Sequence, residues 1–318
     1  MLSLYPPEMT GNGGQSSVWI DLMDPTPAEI AQAEAIVGVP LPSRGSLSEI
    51  EMSSRLRRRD DVLIMSTPTA TPGTGADLAA TPIGFVLSAK RLVTIRYAQL
   101  ASFEALAASL AHRATPPAKG VEVFADLCDE IVDRIADGLE HLAEELAGLS
   151  VAAFHNDDRP GHAAARANRT MRVQLRQVGR IGDRLSQIRD ALLGLTRILA
   201  FTDQFGCAVD DAAMKTRLAS LRQDLISLSD YDEHLANKVQ FVLDALVGLI
   251  GIVQNDIFKV LTIVSIAGIP PTLFAGIYGM NFKYMPEYDW SFGYPYGLAV
   301  IALSTIVPLI WFKVKGWF

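Results

Sequence analysis

The chain has 318 residues, of which 49% are hydrophobic and 20% charged, and its formal net charge is −7. That length allows one large domain or two smaller ones, and the acidic balance argues against a nucleic-acid partner. Cys128 and Cys207 stand far apart, with no Cys-x-x-Cys and no His/Cys cluster, which excludes a disulfide framework and fits a reducing compartment.

The opening residues, Met1 to Gly14, lack a basic segment followed by an apolar run. No signal peptide is therefore expected, and the large N-terminal region is expected to stay in the cytoplasm. Residues 1–118 read as a mixed α/β domain. Val18–Leu22 and Val62–Ser66 have strand composition, and Ile83–Ser88 with Leu92–Arg96 form a hairpin turning at Ala89–Arg91. Thr26-Pro27-Ala28-Glu29 has the form of a capping box with proline at the first helical position, opening a helix through Ile36. Thr67–Thr81 is rich in Thr, Pro, Ala and Gly and predicts a mobile loop. A further helix is predicted over Leu100–His112.

After Pro117 the chain reads as helical nearly to its end. Residues 119–200 form a helical hairpin of opposite charges. Residues 121–158 carry eleven acids and one base, Arg134; residues 159–198 carry nine arginines and two acids, Asp183 and Asp190. Two antiparallel helices with facing charges account for this pattern, and acids at the hairpin tip would also attract cations. Residues 210–258 follow as a cytoplasmic stalk. Met214, Leu218, Leu221, Leu225, Leu228, Leu235, Val239, Val242, Leu246, Leu249 and Val253 recur mostly three and four apart, a heptad-like seam. A continuous helix from about 212 to 280 would be roughly 100 Å long. Such a seam either transmits motion along a stalk or holds an oligomer together.

Two charge-free runs decide the class. Val260–Phe282 and Tyr294–Phe312 contain no charged residue, and each is long enough to cross about 30 Å of hydrocarbon. They predict transmembrane helices over 259–281 and 294–312, a loop over 282–293 and a basic tail over 313–318. Lys259, Lys313 and Lys315 flank the inner ends, whereas the loop sets Lys283 against Glu287 and Asp289. The positive-inside rule then puts both termini in the cytoplasm. Tyr288, Trp290, Tyr294 and Tyr296 mark the outer interface, and Trp311 and Trp317 the inner one.

Two helices per chain cannot enclose a polar path, so conduction would need several chains. Thr262, Ser265, Ile269, Thr272 and Gly276 share one helical face. By spacing alone that face is either a packing seam or a water-facing wall. Pro270 and Pro271 remove backbone donors in mid-helix, which bends the helix or frees carbonyls.

Tyr278-Gly279-Met280-Asn281 closes the first run, followed by Phe282-Lys283-Tyr284 and Met285-Pro286-Glu287. This resembles the CorA family of magnesium channels, whose signature is Gly-Met-Asn at the end of the first of two C-terminal membrane helices. The resemblance extends over Asn255–Pro295, the Lys-x-Lys-x-Trp-Phe ending, and, near the N-terminus, Trp19-Ile20-Asp21-Leu22 and Ser53–Asp61.

The resemblance implies an α+β membrane protein: a cytoplasmic α/β domain, a long stalk helix continuing into the first of two transmembrane helices, and a homopentameric funnel in the inner membrane of a prokaryote. It implies uptake of Mg²⁺, with Co²⁺ or Ni²⁺ also passing. By position, Gly279, Met280 and Asn281 would form the selectivity filter, with Asn281 holding the hydrated ion. Asn255 would ring the cytoplasmic mouth. Phe258, Leu261 and Ile269 would form the apolar constriction. Thr262, Ser265, Thr272 and Gly276 would line the pore. Met285, Pro286, Glu287 and Asp289 would form the outer loop, whose acids concentrate cations. Mg²⁺ dehydrates reluctantly, so a ring of amide oxygens suits the hydrated ion, and apolar rings can gate by dewetting. As a helix-terminal residue, Asn281 would equally suit a left-handed cap.

Family members close when cytoplasmic Mg²⁺ bridges acids of neighbouring subunits. Here the corresponding stalk position falls at Ser220, and Asp224, one turn on, is the candidate regulatory ligand. Mg²⁺ is thus expected both as cargo and as regulator, with membrane lipid and further copies of the chain as partners. A zinc transporter of the same fold is the alternative, disfavoured by Met285-Pro286-Glu287. A membrane-anchored enzyme or scaffold is a second: the five histidines form no HExxH, and no Walker, GxSxG or GxGxxG motif occurs. No enzymatic activity and no small-molecule substrate beyond metal ions are expected.

Overall fold

The computed structural model describes residues 1–5, 17–71, 79–113, 115–154, 164–205, 211–281, 283 and 285–317. In chain order these form β1 (Leu2–Tyr5), β2 (Trp19–Met23), α1 (Pro27–Val37), α2 (Arg44–Leu47), α3 (Met52–Arg55), β3 (Leu56–Arg59), β4 (Val62–Thr71), β5 (Ala79–Leu87), β6 (Leu92–Arg96), α4 (Ala101–His112), α5 (Gly120–Phe154), α6 (Ala164–Phe205), α7 (Ala212–Tyr278), a 3-10 turn at Pro286–Asp289, and α8 (Gly293–Val314). They fall into two compact units, one of residues 1–154 with 176–242, the other of residues 155–175 with 243–318.

The first unit is built on a six-stranded sheet in the order β1-β2-β6-β5-β4-β3. β2 and β6 are parallel and the remaining pairs antiparallel. Alternate side chains of a strand point to opposite faces. One face carries Trp19, Leu63, Met65, Ile83, Phe85, Leu87 and Leu92, which pack against α4, α5, α6 and α7. The other carries Ile20, Leu22, Val86, Val93 and Ile95, which pack against Ala33 of α1 and Leu47 of α2. The β5–β6 hairpin and the capping box of α1 form as predicted: Thr26 N–H donates to Glu29 Oε2 at 2.8 Å and Glu29 N–H to Thr26 Oγ1 at 3.4 Å.

Trp19-Ile20-Asp21-Leu22 supplies a buried polar chain. Trp19 Nε1 donates to Thr94 Oγ1 at 2.9 Å, Thr94 donates to Asp21 Oδ1 at 2.7 Å, and Arg96 Nη2 reaches Asp21 Oδ2 at 2.9 Å. Phe103 of α4 caps the guanidinium, 4.8 Å from ring centre to Cζ. Each buried polar group is thus answered by another, which is the condition for burying an ion pair at all.

Thr67–Thr81 departs from the predicted mobile loop. Residues 67–71 and 79–81 are paired strand, with Pro68 opposite Pro82 and Thr69 opposite Thr81. Composition misled here because both prolines sit where β4 and β5 outrun their outer neighbours. β3 pairs β4 only as far as Met65, and β6 pairs β5 only from Ile83. The missing N–H groups cost no ladder bond there, and threonine suits strands. Residues 72–78 lie outside the described residues, as does Cys207. β1 and β3 were not legible as strands at all, being short edge segments.

The apolar stripes of α5 and α6 are turned inward: Leu139, Leu142 and Leu146 on α5 and Val178, Ile181 and Leu185 on α6 are buried. Their charges therefore lie mostly on outer faces. Glu145–Arg184 (3.6 Å) does join the two helices. Nearer the base of α5, however, Asp126 and Asp129 are taken by Arg217 of α7, and Asp126 also by Arg113 at 2.7 Å. The expected facing of acids and arginines is thus replaced by a three-way exchange in which α7 takes a large part. The heptad-like seam has a similar fate. Leu218, Leu221 and Leu225 belong to the chain's own core, and Leu235, Val242 and Leu246 are buried, so its lower part stabilises the protomer.

In the second unit, α7 continues through Pro270 and Pro271 without a break to Tyr278. In the most apolar stretch of α7, and likewise of α8, only 6% of residues are buried. A core helix of a soluble protein would be covered; these expose Val260, Leu261, Val264, Leu273, Leu303, Val307 and Ile310. The end of α8 is turned by Gly316 at φ 73°. That turn lets Trp317 N–H reach Phe312 O at 3.1 Å and sets the Trp317 ring tilted against the buried Phe312, ring centres 5.1 Å apart. Lys315 lies over Trp311 at 5.9 Å. Trp290 and Tyr296 meet edge to face at the opposite end, 5.9 Å apart.

Candidate ion pathway

The C-terminal part of α7 presents a single face built from Asn255, Phe258, Thr262, Ser265, Ile269, Thr272 and Gly276, spaced alternately three and four residues. Phe258, Leu261 and Ile269 are 60–65% exposed. Asn255, Thr272 and Gly276 are exposed, and Thr262 and Ser265 half-buried. Within one chain, then, this face is largely uncovered. Thr262 Oγ1 donates to Phe258 O at 2.7 Å and Thr272 Oγ1 to Ile269 O at 2.8 Å. Their protons are spent on the helix, so their lone pairs face outward as acceptors. Pro270 and Pro271 cannot donate to the carbonyls of Ile266 and Ala267, which adds unused acceptors mid-helix.

The face ends in a tight turn. Gly279 N–H donates to Ala275 O at 3.0 Å and Met280 N–H to Ile277 O at 3.2 Å. A side chain at Gly279 would put its Cβ 3.0 Å from Ala275 O, so the first position of the Gly-Met-Asn triplet is held by close approach. Asn281 follows, exposed and outside the helix. Among the described residues the non-glycine positions with positive φ are Asp24 and Asp60. Asn281 therefore does not have the left-handed backbone of the cap it would suit as a helix-terminal residue. Met280 is 46% exposed, Met285 half-buried, and Pro286 and Asp289 exposed; Pro286, Glu287 and Asp289 all lie in the 3-10 turn. Asp224 lies exposed on α7, far down the helix from the triplet.

A feature that spacing did not reveal lies beside the turn. A cavity of about 520 Å³ is lined by Ala275, Tyr278, Gly279, Trp290, Tyr294 and Gly297. Its signal in the sequence is the pairing of small residues, Ala275 and Gly279 against Gly293 and Gly297, which only the packing of α8 on α7 brings together. Among the described residues no three of His, Cys, Asp and Glu come together as a metal site. The oxygens on offer along this face of α7 are amide, hydroxyl and carbonyl groups, a set suited to a hard cation that keeps its water.

The family description "CorA-like Mg2+ transporter protein" matches residues 14–313. The chain belongs to this family. The magnesium transport proteins CorA of Yersinia pseudotuberculosis and Escherichia coli are 29% identical to it over 302 and 304 residues, each alignment covering 95% of this chain and 92% of the relative. The complete structure of the CorA magnesium transporter from Methanocaldococcus jannaschii superposes with a TM-score of 0.74 at 19% identity, covering 94% of this chain and 91% of that one. That likeness is one of fold: an N-terminal α/β domain, a long helix and two C-terminal apolar helices. Family membership and the exposed apolar helices together make this a membrane protein.

Proposed function

We propose that the chain is the protomer of a homopentameric channel that carries Mg²⁺ into the cytoplasm, with Co²⁺ and Ni²⁺ also passing. The observation that carries this reading is the exposed face of α7, which ends at Gly279-Met280-Asn281. One helix cannot enclose a path; the same face repeated around an axis does. Asn281 amides ring the outer entrance and hold the hydrated ion through its waters, which binds it weakly enough to release. Hydroxyls of Thr262, Ser265 and Thr272, with Gly276, line the wall, and Phe258, Leu261 and Ile269 form the apolar constriction. Asn255 rings the inner mouth. Asp289 and Glu287 raise the cation concentration outside.

The relatives' names support magnesium over zinc, and Met285-Pro286-Glu287 agrees. Lysines at 259, 313 and 315 support a topology with both termini in the cytoplasm, in which the inside-negative potential drives uptake with about 2.3 kcal/mol per charge per 100 mV. Regulation by internal Mg²⁺ at Asp224 completes the proposal.

Flux of Mg²⁺ into liposomes containing purified protein tests it. Wild-type flux that collapses in Asn281→Ala, with the oligomer intact, is the expected result. Flux unchanged by the substitution removes Asn281 from the filter. Zinc flux coupled to a proton gradient, without magnesium flux, hands the fold to zinc transport.

A further inference from the structure

α8 is buried at two points, Gly297 and Phe312. Phe312 lies against the ring of Trp317 from the tail of the same helix. At the other end, Tyr294, Tyr296 and Leu298 around Gly297 are exposed. The group that Gly297 faces is the Tyr278 ring of α7: a Cβ added at 297 would lie 3.9 Å from Cδ2 of that ring. Both residues belong to the compact unit that holds α7 from Leu243 onward and all of α8. The α7 side carries the same mark. In the last turn of that helix Ala275, Gly276 and Ile277 are exposed, whereas Tyr278 is half-buried.

Tyr278 is the final residue of α7, and the chain then turns through Gly279 and Met280 to Asn281. It follows Gly276 by two positions, about 200° round the helix, so its ring points away from the pathway face. It is the last side chain that α7 fixes before the Gly-Met-Asn turn, three residues ahead of Asn281. Beside the ring the two helices part around the cavity lined by Ala275, Tyr278, Gly279, Trp290, Tyr294 and Gly297. The ring is therefore braced by Gly297 on one side and has open space on another.

We infer that Gly297 is a positioning residue for the ion pathway: by leaving room for the Tyr278 ring, α8 fixes the seat of the turn that carries Asn281. This role presupposes the proposed pathway and supports its filter from behind. A methyl group at 297 makes ordinary van der Waals contact with the ring, so alanine fits. A β-branched side chain adds two methyls beyond Cβ and holds essentially one rotamer in a helix. The ring then gives way into the cavity, and the turn shifts with it. Binding constellations need their groups held within about 0.5 Å, so a shift of the turn is read at the ion.

Influx of Mg²⁺ and of Co²⁺ into liposomes carrying the purified full-length protein tests this role. Gly297→Ala should keep both rates and their ratio. Gly297→Val and Tyr278→Ala should each lower Mg²⁺ influx roughly tenfold and shift the Mg²⁺-to-Co²⁺ ratio. The double variant should be no worse than either single change, because residues acting through one contact are not additive. A merely structural role would lower both rates together and leave the ratio unmoved. An unmoved ratio in Gly297→Val, or two effects that simply add, overturns the positioning role and leaves the channel in place. Should Gly297→Val fail to fold, an unmoved ratio in Tyr278→Ala overturns it equally. Absence of any divalent influx in the wild type overturns the pathway itself, and this role with it.

Discussion

Arg189 of α6 donates from Nε to Asp232 Oδ2 of α7 at 2.8 Å, and the Asp232 side chain is only 1% exposed. The other carboxylate oxygen, Oδ1, is buried with no partner among the described residues. This is a polar tie between the two helices, flanked by the buried Leu185 and Leu235. Removing the arginine strands a buried carboxylate. With Arg189 itself half in solvent, Arg189→Ala is expected to cost about 2 kcal/mol, read as a lower melting temperature, whereas Arg189→Met with Asp232→Leu should recover most of the loss. An unchanged melting temperature in the single variant would mean that solvent already reaches Asp232.

The same carboxylate sets a pH dependence. Burial pushes the Asp232 carboxyl above its ordinary value of 3.8; Arg189 opposes this in part, and Glu233 adds to it. An acid raised in the folded state binds protons there that the unfolded chain has released. Its contribution is therefore fully present below pH 3.8 and is lost as pH rises through the elevated folded value. Against Asp232→Asn, the wild type should gain relative stability as pH falls from 7 towards 4. Parallel melting curves for the two proteins over that range would contradict this.

Close packing gives a sharper prediction in the α/β unit. A Cβ on Gly120 would collide with the backbone carbonyl of Arg91, and one on Gly194 with the Thr67 hydroxyl and, at 2.9 Å, its Cβ. Backbone has nowhere to go, whereas a threonine can rotate. Gly120→Ala is expected to cost about 3 kcal/mol and Gly194→Ala about 1 kcal/mol, in that order, by thermal denaturation of the full chain.

On the proposed pathway, Leu261 and Ile269 form dewetting rings. Replacing Ile269 with Ser should hydrate the constriction and raise Mg²⁺ flux several-fold without altering oligomer size. Flux equal to wild type would move the barrier elsewhere.

Asp224 is exposed on α7 with no ion pair among the described residues. Asp224→Ala should raise the internal Mg²⁺ needed for half-inhibition about tenfold, while leaving flux at low internal Mg²⁺ intact. Unchanged inhibition would place the regulatory ligands at other acids.

Much of the architecture was legible because its signals are local. Val260–Phe282 and Tyr294–Phe312 announce themselves by twenty or so residues without charge, Thr26–Glu29 by a capping box, and Ile83–Arg96 by two β-rich runs around a polar turn. The Gly-Met-Asn turn was legible from its place at the end of the first run. What misled was composition read without neighbours. Thr67–Thr81 looked like loop, because whether a proline breaks a strand depends on whether anything pairs with its missing N–H. The reading of Asn281 as a left-handed cap failed on its observed backbone.

By itself, then, the sequence determined which segments must leave water, where the first helix begins, and which α7 residues share a face, since hydrophobic transfer and helical periodicity act on neighbours in the chain. Tertiary structure alone decided that the lower seam of α7 is buried in its own protomer, that Arg217 rather than α6 neutralises Asp126 and Asp129, and that Asp232 meets Arg189. Those pairings join residues dozens of positions apart, and only the register of packed helices brings such charges within reach of one another.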